Sequence, residues 1–349
     1  MIHRNLQLHN VSELEEIKGQ RGLRLQRFPE KVRGGLGDWG KVAAQLVSNA
    51  EIRFVPQANK VSFTLASYND KASVEVWFGE FQSAHHFELD ETPLRIDLDF
   101  NGPHWQSPAY VLKLPENARG ACCFSPRVCR LRFWSGGVPH IHLLETPPVA
   151  DVRLPLKEEI PQRTLCAYGT SITYGCRATA AHLSYPAVCA ARLGVDLLNL
   201  GMPGSAFCEK EMADHIAARC DWDVGVLELS VNMVAAYSVE DFYKRTSSMI
   251  NIVSGSDPSR LVFCVTMLPY HDDYVEELSS KLPFGKPDEY REALRHAFAA
   301  CPHANIRLIE GGDLLTDIRG LGSDLIHPGD YGMIAIGNKL ADKIRQMAR

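Results

Sequence analysis

Five short apolar runs in the second half of the chain, each followed by a helical pattern, constrain the fold more than any other feature. The runs are Thr164–Tyr168, Asp196–Leu200, Val224–Leu229, Leu261–Val265 and Ile306–Ile309. Such runs are typical of strands buried on both faces of a parallel sheet. The helical patterns cover Tyr185–Leu193, Glu209–Arg219, Val239–Val253, Asp288–Ala300 and residues 330–347. Five βα units in series predict an α/β fold with a flavodoxin-like, doubly wound parallel five-stranded sheet.

The first half has a different pattern, in which short apolar or alternating stretches are separated by turn residues. The stretches are Glu51–Val55, Val61–Ala66, Ser73–Phe78, Leu94–Leu98, Tyr110–Leu114 and Val128–Phe133, with one helical pattern at Trp39–Leu46. Many short strands at near-regular spacing predict an all-β sandwich, similar to a jelly roll. A proline-rich segment follows, so we predict a β-sandwich accessory domain over residues 1–150, a linker over 151–162 and an α/β domain over 163–349.

Composition and charge narrow the classes of function. The chain has 349 residues, with 37 Lys plus Arg against 42 Asp plus Glu and a formal net charge of −5. This balance argues against a nucleic-acid partner, because phosphate binding relies on clustered basic residues. The ten cysteines form no Cys-x-x-Cys pair, the N-terminus lacks the apolar core of a signal peptide, and no run could span a bilayer. We therefore expect a reduced, cytoplasmic protein with no metal, cofactor or membrane partner, whose oligomeric state the sequence leaves open.

Candidate functional residues follow four of the five predicted strands, at the edge where ligands bind in an open α/β sheet. Ser171 lies in a turn after the first strand, Gly201 follows the second and Asn232 follows the third. Asp324 and His327 follow the fifth strand after a short connection. Each alone has an ordinary structural explanation, such as a turn serine, a turn glycine or a helix-capping asparagine.

Together these five residues supply the parts of an acyl-transfer site. A serine hydroxyl needs a base to remove its proton, and the base needs an orienting carboxylate. Ser171, His327 and Asp324 could fill these three roles. The N–H groups of Ser171 and Gly201, with the side chain of Asn232, could then donate hydrogen bonds to a tetrahedral oxyanion.

The same residues resemble the motifs of the SGNH (GDSL-like) hydrolases. Tyr168–Gly175 is similar to the first block of that family, Gly201 to the second, Asn232 to the third and Asp324-x-x-His327 to the last. All four blocks fall in order within residues 164–349. The resemblance implies ester hydrolysis through an acyl-enzyme without a metal. It assigns the nucleophile to Ser171, the base to His327, the carboxylate to Asp324 and the oxyanion donors to Ser171, Gly201 and Asn232.

The chain departs from the family pattern in two blocks. In the first, Thr170 replaces the usual Asp and Ile172 the usual Leu; in the third, Ser230 and Met233 replace the usual Gly and Asp. The triad does not need an acidic residue at Thr170, since Asp324 supplies the carboxylate, whereas the third-block changes alter the predicted substrate wall. The first half also looks like the accessory domain of two-domain members, a group with bacterial esterases and an acyltransferase.

The resulting prediction is a serine esterase whose partner is a small-molecule ester, with acetylated sugars among the substrates. An acyltransferase would use the same acyl-enzyme with an acceptor other than water, and the sequence does not separate the two. A carbohydrate-binding protein with an inactive α/β site is an alternative of a different class. The segment Met267–Pro287 exceeds the usual connection of about 2–6 residues. It is either a lid over the site or a solvated surface excursion.

Overall fold

The strands form three β-sheets within residues 1–115, 117, 122–229 and 231–348, the part of the chain that the computed structural model describes. The chain divides into two units. The first unit comprises Met1–Glu30, Ala44–Gln162 and Gly194–Asp196, and the second comprises Lys31–Ala43, Arg163–Leu193 and Leu197–Arg349. Residues 31–43 therefore group with the second unit, although they lie inside the predicted N-terminal domain.

The first unit contains two antiparallel sheets. Its strands are β1 (Ile2–His3), β2 (Leu6–His9), β3 (Glu13–Glu16), β4 (Leu23–Gln26), β5 (Glu51–Pro56), β6 (Lys60–Tyr68), β7 (Ala72–Phe78), β8 (Phe81–Leu89), β9 (Leu94–Asp99), β10 (Cys129–Trp134), β11 (His140–Glu145) and β12 (Val152–Arg153). One sheet has the order β1-β2-β5-β10-β7-β8, with β12 paired to β5, and the other has the order β3-β4-β11-β6-β9. Phe54 and Leu131 from the first sheet share a fully buried core with Phe63 and Ile141 from the second. The predicted β-sandwich is confirmed.

Several details of this unit differ from the sequence prediction, which names no strand before Glu51 and therefore omits β1 to β4. The predicted strand at Tyr110–Leu114 is wrong, because Val111–Lys113 forms a 3-10 turn in which the Lys113 N–H donates to the Tyr110 carbonyl. Tyr110 and Leu112 are exposed, so their apolar side chains do not form a strand's buried face. Conversely, β8 was not predicted, because alternate positions along it are exposed and polar, and it lies at the sheet's edge.

The third sheet lies among helices. Its strands are β13 (Thr164–Gly169), β14 (Asp196–Gly201), β15 (Val224–Glu228), β16 (Leu261–Val265) and β17 (Ile306–Ile309), in the order β14-β13-β15-β16-β17. Within the described residues, the α-helices with defined bounds are α1 (Glu30–Gly35), α2 (Asp38–Ala43), α3 (Ser171–Tyr174), α4 (Tyr185–Leu193), α5 (Lys210–Ala218), α6 (Val239–Gly255), α7 (His271–Tyr274), α8 (Glu276–Ser279), α9 (Pro287–Ala300), α10 (Gly311–Leu314) and α11 (Asp330–Met347). The predicted parallel five-stranded fold is confirmed.

Local sequence explains where the longer helices begin and which faces they bury. Ser238 caps α6, since its hydroxyl accepts a hydrogen bond from the Asp241 N–H. Helix α11 buries Met333, Ile336, Leu340 and Ile344, whose spacing of three and four residues forms one apolar face. Burial of such a face, more than intrinsic propensity, stabilises these helices.

The strand order determines where a site can form. The sheet starts at β13 and extends in both directions, so that the segments leaving β13, β14 and β15 are neighbours at one edge.

Among the described residues, no helix is long and apolar enough to cross a membrane. In the same residues, no group of three or more His, Cys, Asp or Glu side chains is arranged to hold a metal ion.

Candidate active site

The turn after β13 places Ser171 at the start of a helix. Gly169 ends β13, and a Cβ there would lie 2.3 Å from Thr173 Oγ1 and 2.7 Å from Glu228 Oε2, so only glycine fits. The Thr170 hydroxyl caps α3 by accepting a hydrogen bond at 3.2 Å from the backbone N–H two residues on. Because Ser171 is the first residue of α3, its N–H has no acceptor within the helix.

Ser171, His327 and Asp324 form one hydrogen-bonded series. Ser171 Oγ lies 2.8 Å from His327 Nε2, and His327 Nδ1 lies 3.0 Å from Asp324 Oδ2. Both separations are ordinary hydrogen-bond lengths. Ser171 is 6% exposed, whereas about a quarter of the His327 side chain (24%) is accessible. The structure therefore brings together a hydroxyl, an imidazole and a carboxylate, with the first two 156 residues apart in the chain.

Backbone hydrogen bonds hold the Asp324 carboxylate in place. Its Oδ1 accepts from the N–H groups of Ile326 and His327, both at 3.0 Å, while Leu325 between them adopts a φ of +53°, uncommon outside glycine. Burial raises the pKa of Asp324, but these N–H groups and the imidazole outweigh burial and hold the pKa far below its ordinary value. Oδ2 also accepts from Nε of the exposed Arg177 at 3.2 Å. Asp324 is therefore an ionised acceptor beside the imidazole.

Gly201, predicted as an oxyanion donor, is the last residue of β14. Its N–H already donates to Asn199 Oδ1 at 2.9 Å, and Asn199 Nδ2 donates to the Thr173 carbonyl at 2.8 Å. A Cβ on Gly201 would lie 2.3 Å from the backbone nitrogen of Tyr174. The Gly201 N–H is therefore already engaged within the fold, and its role as an oxyanion donor stays a prediction. Gly201 instead allows the end of β14 to pack directly against helix α3.

The loop after β14 connects the nucleophile turn to Asn232. The Met202 N–H donates to the Gly169 carbonyl at 2.8 Å, and the Ala206 N–H donates to Asn232 Oδ1 at 3.2 Å. Because Oδ1 accepts this hydrogen bond, the Nδ2 donor occupies the other side of the amide. Gly204 lies between the two anchors, with an exposed backbone and a φ of +67° that favours glycine.

Asn232 lies in a 3-10 turn, Val231–Met233, that follows β15 closely. Met233 is fully buried, so its side chain belongs to the core and not to an exposed wall of the site. Ser230, the other residue that departs from the third block, lies outside the described residues.

Trp39 was not predicted from the sequence as a neighbour of this loop. Its indole N–H donates to the Pro203 carbonyl at 3.0 Å, and a Cβ on Gly204 would lie 2.5 Å from the same nitrogen. The Trp39 side chain nevertheless remains 54% exposed. It comes from α2, in the segment that groups with the second unit. An isolated helical pattern among predicted strands was the signal that this segment differs from its surroundings.

Glu228 was also missed, although the sequence carried a signal for it. Glu228 is the last residue of β15 and is 1% exposed. A carboxylate inside an otherwise apolar run is rarely buried without partners. Its Oε2 accepts from the Thr170 N–H at 2.8 Å, so that Glu228 contacts the residue directly before Ser171.

The segment 267–287 makes a specific contact with the loop that carries His327. It contains α7 and α8, and the His271 N–H donates to the Leu325 carbonyl at 2.7 Å. Arg291 pairs with both carboxylate oxygens of Asp273, which ties the segment to helix α9. These contacts place the segment beside the site, and its action as a lid stays a prediction.

Comparisons with known proteins identify the family of this chain and proteins that share its fold. Residues 162–345 match the sequence pattern of the GDSL-like lipase/acylhydrolase family. The salicylyl-acyltransferase SsfX3 from a tetracycline biosynthetic pathway is 14% identical, with a TM-score of 0.76 over 99% of this chain and 95% of that one. A putative GDSL-like lipase from Bacteroides ovatus is 16% identical, with a TM-score of 0.66 over 93% and 91% of the two chains.

A third solved structure shows the same fold. A family two carbohydrate esterase from Clostridium thermocellum, in complex with cellohexaose, is 15% identical, with a TM-score of 0.57 over 86% of this chain and 93% of that one. At these identities the likeness shows the fold alone. No curated protein is similar enough to match the chain.

Replacing Gly201 with Ala should lower the reactivity of the Ser171 hydroxyl, although the new methyl group does not contact Ser171. The new methyl group would lie 2.3 Å from the Tyr174 nitrogen, so α3 must shift. A misplacement of about 1 Å can cost about 10²-fold in rate. We expect labelling of Ser171 by a fluorophosphonate to slow by about that factor. Gly312→Ala is the matched control, since a Cβ there meets nothing within 4 Å. Labelling of the Gly201→Ala protein at the wild-type rate would contradict this account of the packing.

Proposed function

The chain belongs to the GDSL-like lipase/acylhydrolase family, whose sequence pattern covers just over half of its residues, and we propose that it is a serine esterase acting on small acyl esters. The observation that carries the proposal is the series from Ser171 Oγ through the His327 ring to Asp324 Oδ2, with separations of 2.8 and 3.0 Å. This arrangement matches the geometry that activates a serine hydroxyl.

The first half of the reaction forms an acyl-enzyme. His327 Nε2 takes the hydroxyl proton as Ser171 Oγ bonds to the ester carbonyl carbon, which gives a tetrahedral oxyanion. The ionised Asp324 keeps the proton of the neutral imidazole on Nδ1 and stabilises the positive charge that develops on the ring. The oxyanion then collapses, the ester C–O bond breaks, and His327 returns the proton to the departing alkoxide.

We propose three hydrogen-bond donors for the oxyanion. Two of them are those the sequence predicts: the Ser171 N–H, at the start of α3, and Asn232 Nδ2, whose Oδ1 accepts from the Ala206 N–H. We assign the third donor to the Gly204 N–H in place of Gly201, because the loop carrying Gly204 is anchored beside the nucleophile turn and on Asn232. Donors aimed at a developing charge stabilise the transition state more than the ground state.

The second half of the reaction releases the acyl group. With water as acceptor, His327 removes a proton from the water molecule, whose oxygen attacks the acyl carbon. The Ser171 Oγ–acyl bond then breaks, Ser171 recovers its proton, and a carboxylic acid leaves. Acetylated sugars are the first substrate class to test. Several proteins that share this fold are named as carbohydrate esterases, including an acetyl xylan esterase from Butyrivibrio proteoclasticus.

Transfer of the acyl group to an alcohol is the second candidate function. The observation that favours it is the likeness of the whole chain to a salicylyl-acyltransferase, at a TM-score of 0.76. Both functions use the same acyl-enzyme and differ only in the acceptor. Product analysis of p-nitrophenyl acetate turnover, with and without added sugars and alcohols, separates them: free acetate alone indicates hydrolysis, and acetylated acceptor indicates transfer.

Ser171→Ala should abolish hydrolysis of p-nitrophenyl acetate while leaving the fold intact. Loss of a triad nucleophile typically costs about 10⁴-fold or more in turnover. Ser256→Ala is a matched control, because its hydroxyl only contacts the Val253 carbonyl at the far end of α6. Circular dichroism would verify folding of both variants. Wild-type turnover by Ser171→Ala would disprove the esterase assignment, and failure of a fluorophosphonate to label the wild-type protein would favour an inactive binding protein.

Two substitutions at Asn232 separate its donor role from its support of the loop. Asn232→Ala removes both the donor and the acceptor of the Ala206 N–H. Asn232→Asp keeps that acceptor but replaces the donor with a negative oxygen. If Nδ2 serves the oxyanion, both variants should lose about 10²–10³-fold in kcat with little change in KM. An Asp variant that retains wild-type kcat would show that Asn232 only supports the loop.

A further inference from the structure

The carboxylate of Glu228 lies directly behind the nucleophile turn. It is 1% exposed at the end of β15, the strand that pairs with β13 in parallel register. All three hydrogen bonds that reach it from this turn use one oxygen, Oε2. The donors are the Thr170 N–H at 2.8 Å, the Thr170 hydroxyl at 2.7 Å and the Thr173 hydroxyl at 3.2 Å.

These hydrogen bonds hold the turn on both sides of Ser171. Thr170 precedes Ser171, and Thr173 follows it by two residues within α3. The Thr170 hydroxyl also accepts from the Ile172 N–H, and the Thr173 hydroxyl lies 2.7 Å from the Tyr185 hydroxyl. One carboxylate oxygen therefore fixes the helix cap and the first turn of α3 together.

The surrounding backbone keeps space for this carboxylate. A Cβ on Gly169 would lie only 2.7 Å from Oε2, so a side chain there would displace the carboxylate or the turn. Taking a carboxylate out of water costs free energy that hydrogen bonds to the charged group must offset. Three donors converging on one oxygen make the position of the turn depend on that atom.

We infer that Glu228 is a positioning residue for the nucleophile, which sets the direction of both the Ser171 hydroxyl and the Ser171 N–H. Glu228 does not contact Ser171 itself; it acts through Thr170 and Thr173. The inference rests on the proposed function, because it assigns Glu228 to the same acyl-transfer site. Rotation of the Thr170–Ser171 peptide would move the hydroxyl away from His327 Nε2 and the N–H away from the oxyanion.

Glu228→Gln and Glu228→Ala test the inference as a graded pair. The amide oxygen of Gln can accept the same hydrogen bonds, but a neutral acceptor is roughly half as strong as a charged one. Ala leaves all three donors without this acceptor. We expect fluorophosphonate labelling of Ser171 and kcat on p-nitrophenyl acetate to fall together, by about 10²-fold in the Ala variant and less in the Gln variant. KM should change little.

Glu310→Gln is the matched control for a purely structural effect. Glu310 accepts from the Thr266 hydroxyl at 2.9 Å, after β17 and away from Ser171. Replacement of this carboxylate should lower the melting temperature of the protein without slowing fluorophosphonate labelling of Ser171. If Glu228→Gln and Glu310→Gln slow labelling equally, or if Glu228→Gln labels and turns over at the wild-type rate, the positioning role is refuted. Glu228→Gln decides the question if the Ala variant does not fold.

The same experiments separate this inference from the proposed function. Wild-type turnover that is lost in Ser171→Ala but kept in both Glu228 variants would refute the positioning role alone. Turnover that survives in Ser171→Ala would refute the proposed function whatever the Glu228 variants do.

Discussion

The hydrogen bond between Ser171 Oγ and His327 Nε2 is the interaction on which the rest of the site depends. It joins residues 156 positions apart, so it can form only when the parallel sheet brings the ends of its strands to one edge. The order β14-β13-β15-β16-β17 places the nucleophile turn, which follows β13, between the segments that leave β14 and β15. Buried strands fix the edge, and α11 begins three residues after His327, so the imidazole lies just before a long packed helix.

The geometry of the site is maintained more by backbone groups and close packing than by exposed side chains. Two N–H groups hold the Asp324 carboxylate, and the missing Cβ atoms of Gly169 and Gly201 let β13 and β14 approach helix α3. A buried carboxylate at Glu228 then fixes the turn from behind. A weak nucleophile becomes reactive only when its base and its oxyanion donors are aligned together. Such alignment is easier to keep on rigid elements than on mobile loops.

Most of the α/β fold could be predicted because its pattern is local. The strands of the third sheet were predicted to within one residue, and α11 has the predicted bounds, since apolar runs and amphipathic spacing directly reflect burial. Ser171, Asp324 and His327 could be singled out because strand ends mark the ligand edge. Spacing does not show that the Gly201 N–H already has an acceptor in Asn199, and it could not connect Trp39 with Pro203 across 164 residues.

The second unit is discontinuous in sequence, because residues 31–43 belong to it while the rest begins at Arg163. Trp39 reaches the Pro203 carbonyl from that early segment. A gene fragment beginning at the proline-rich linker would therefore encode every member of the Ser–His–Asp series but omit the indole that donates to the Pro203 carbonyl. Such a fragment would lack part of the second unit, and recombination that exchanged the first half of the gene would also exchange a residue that contacts the loop after β14.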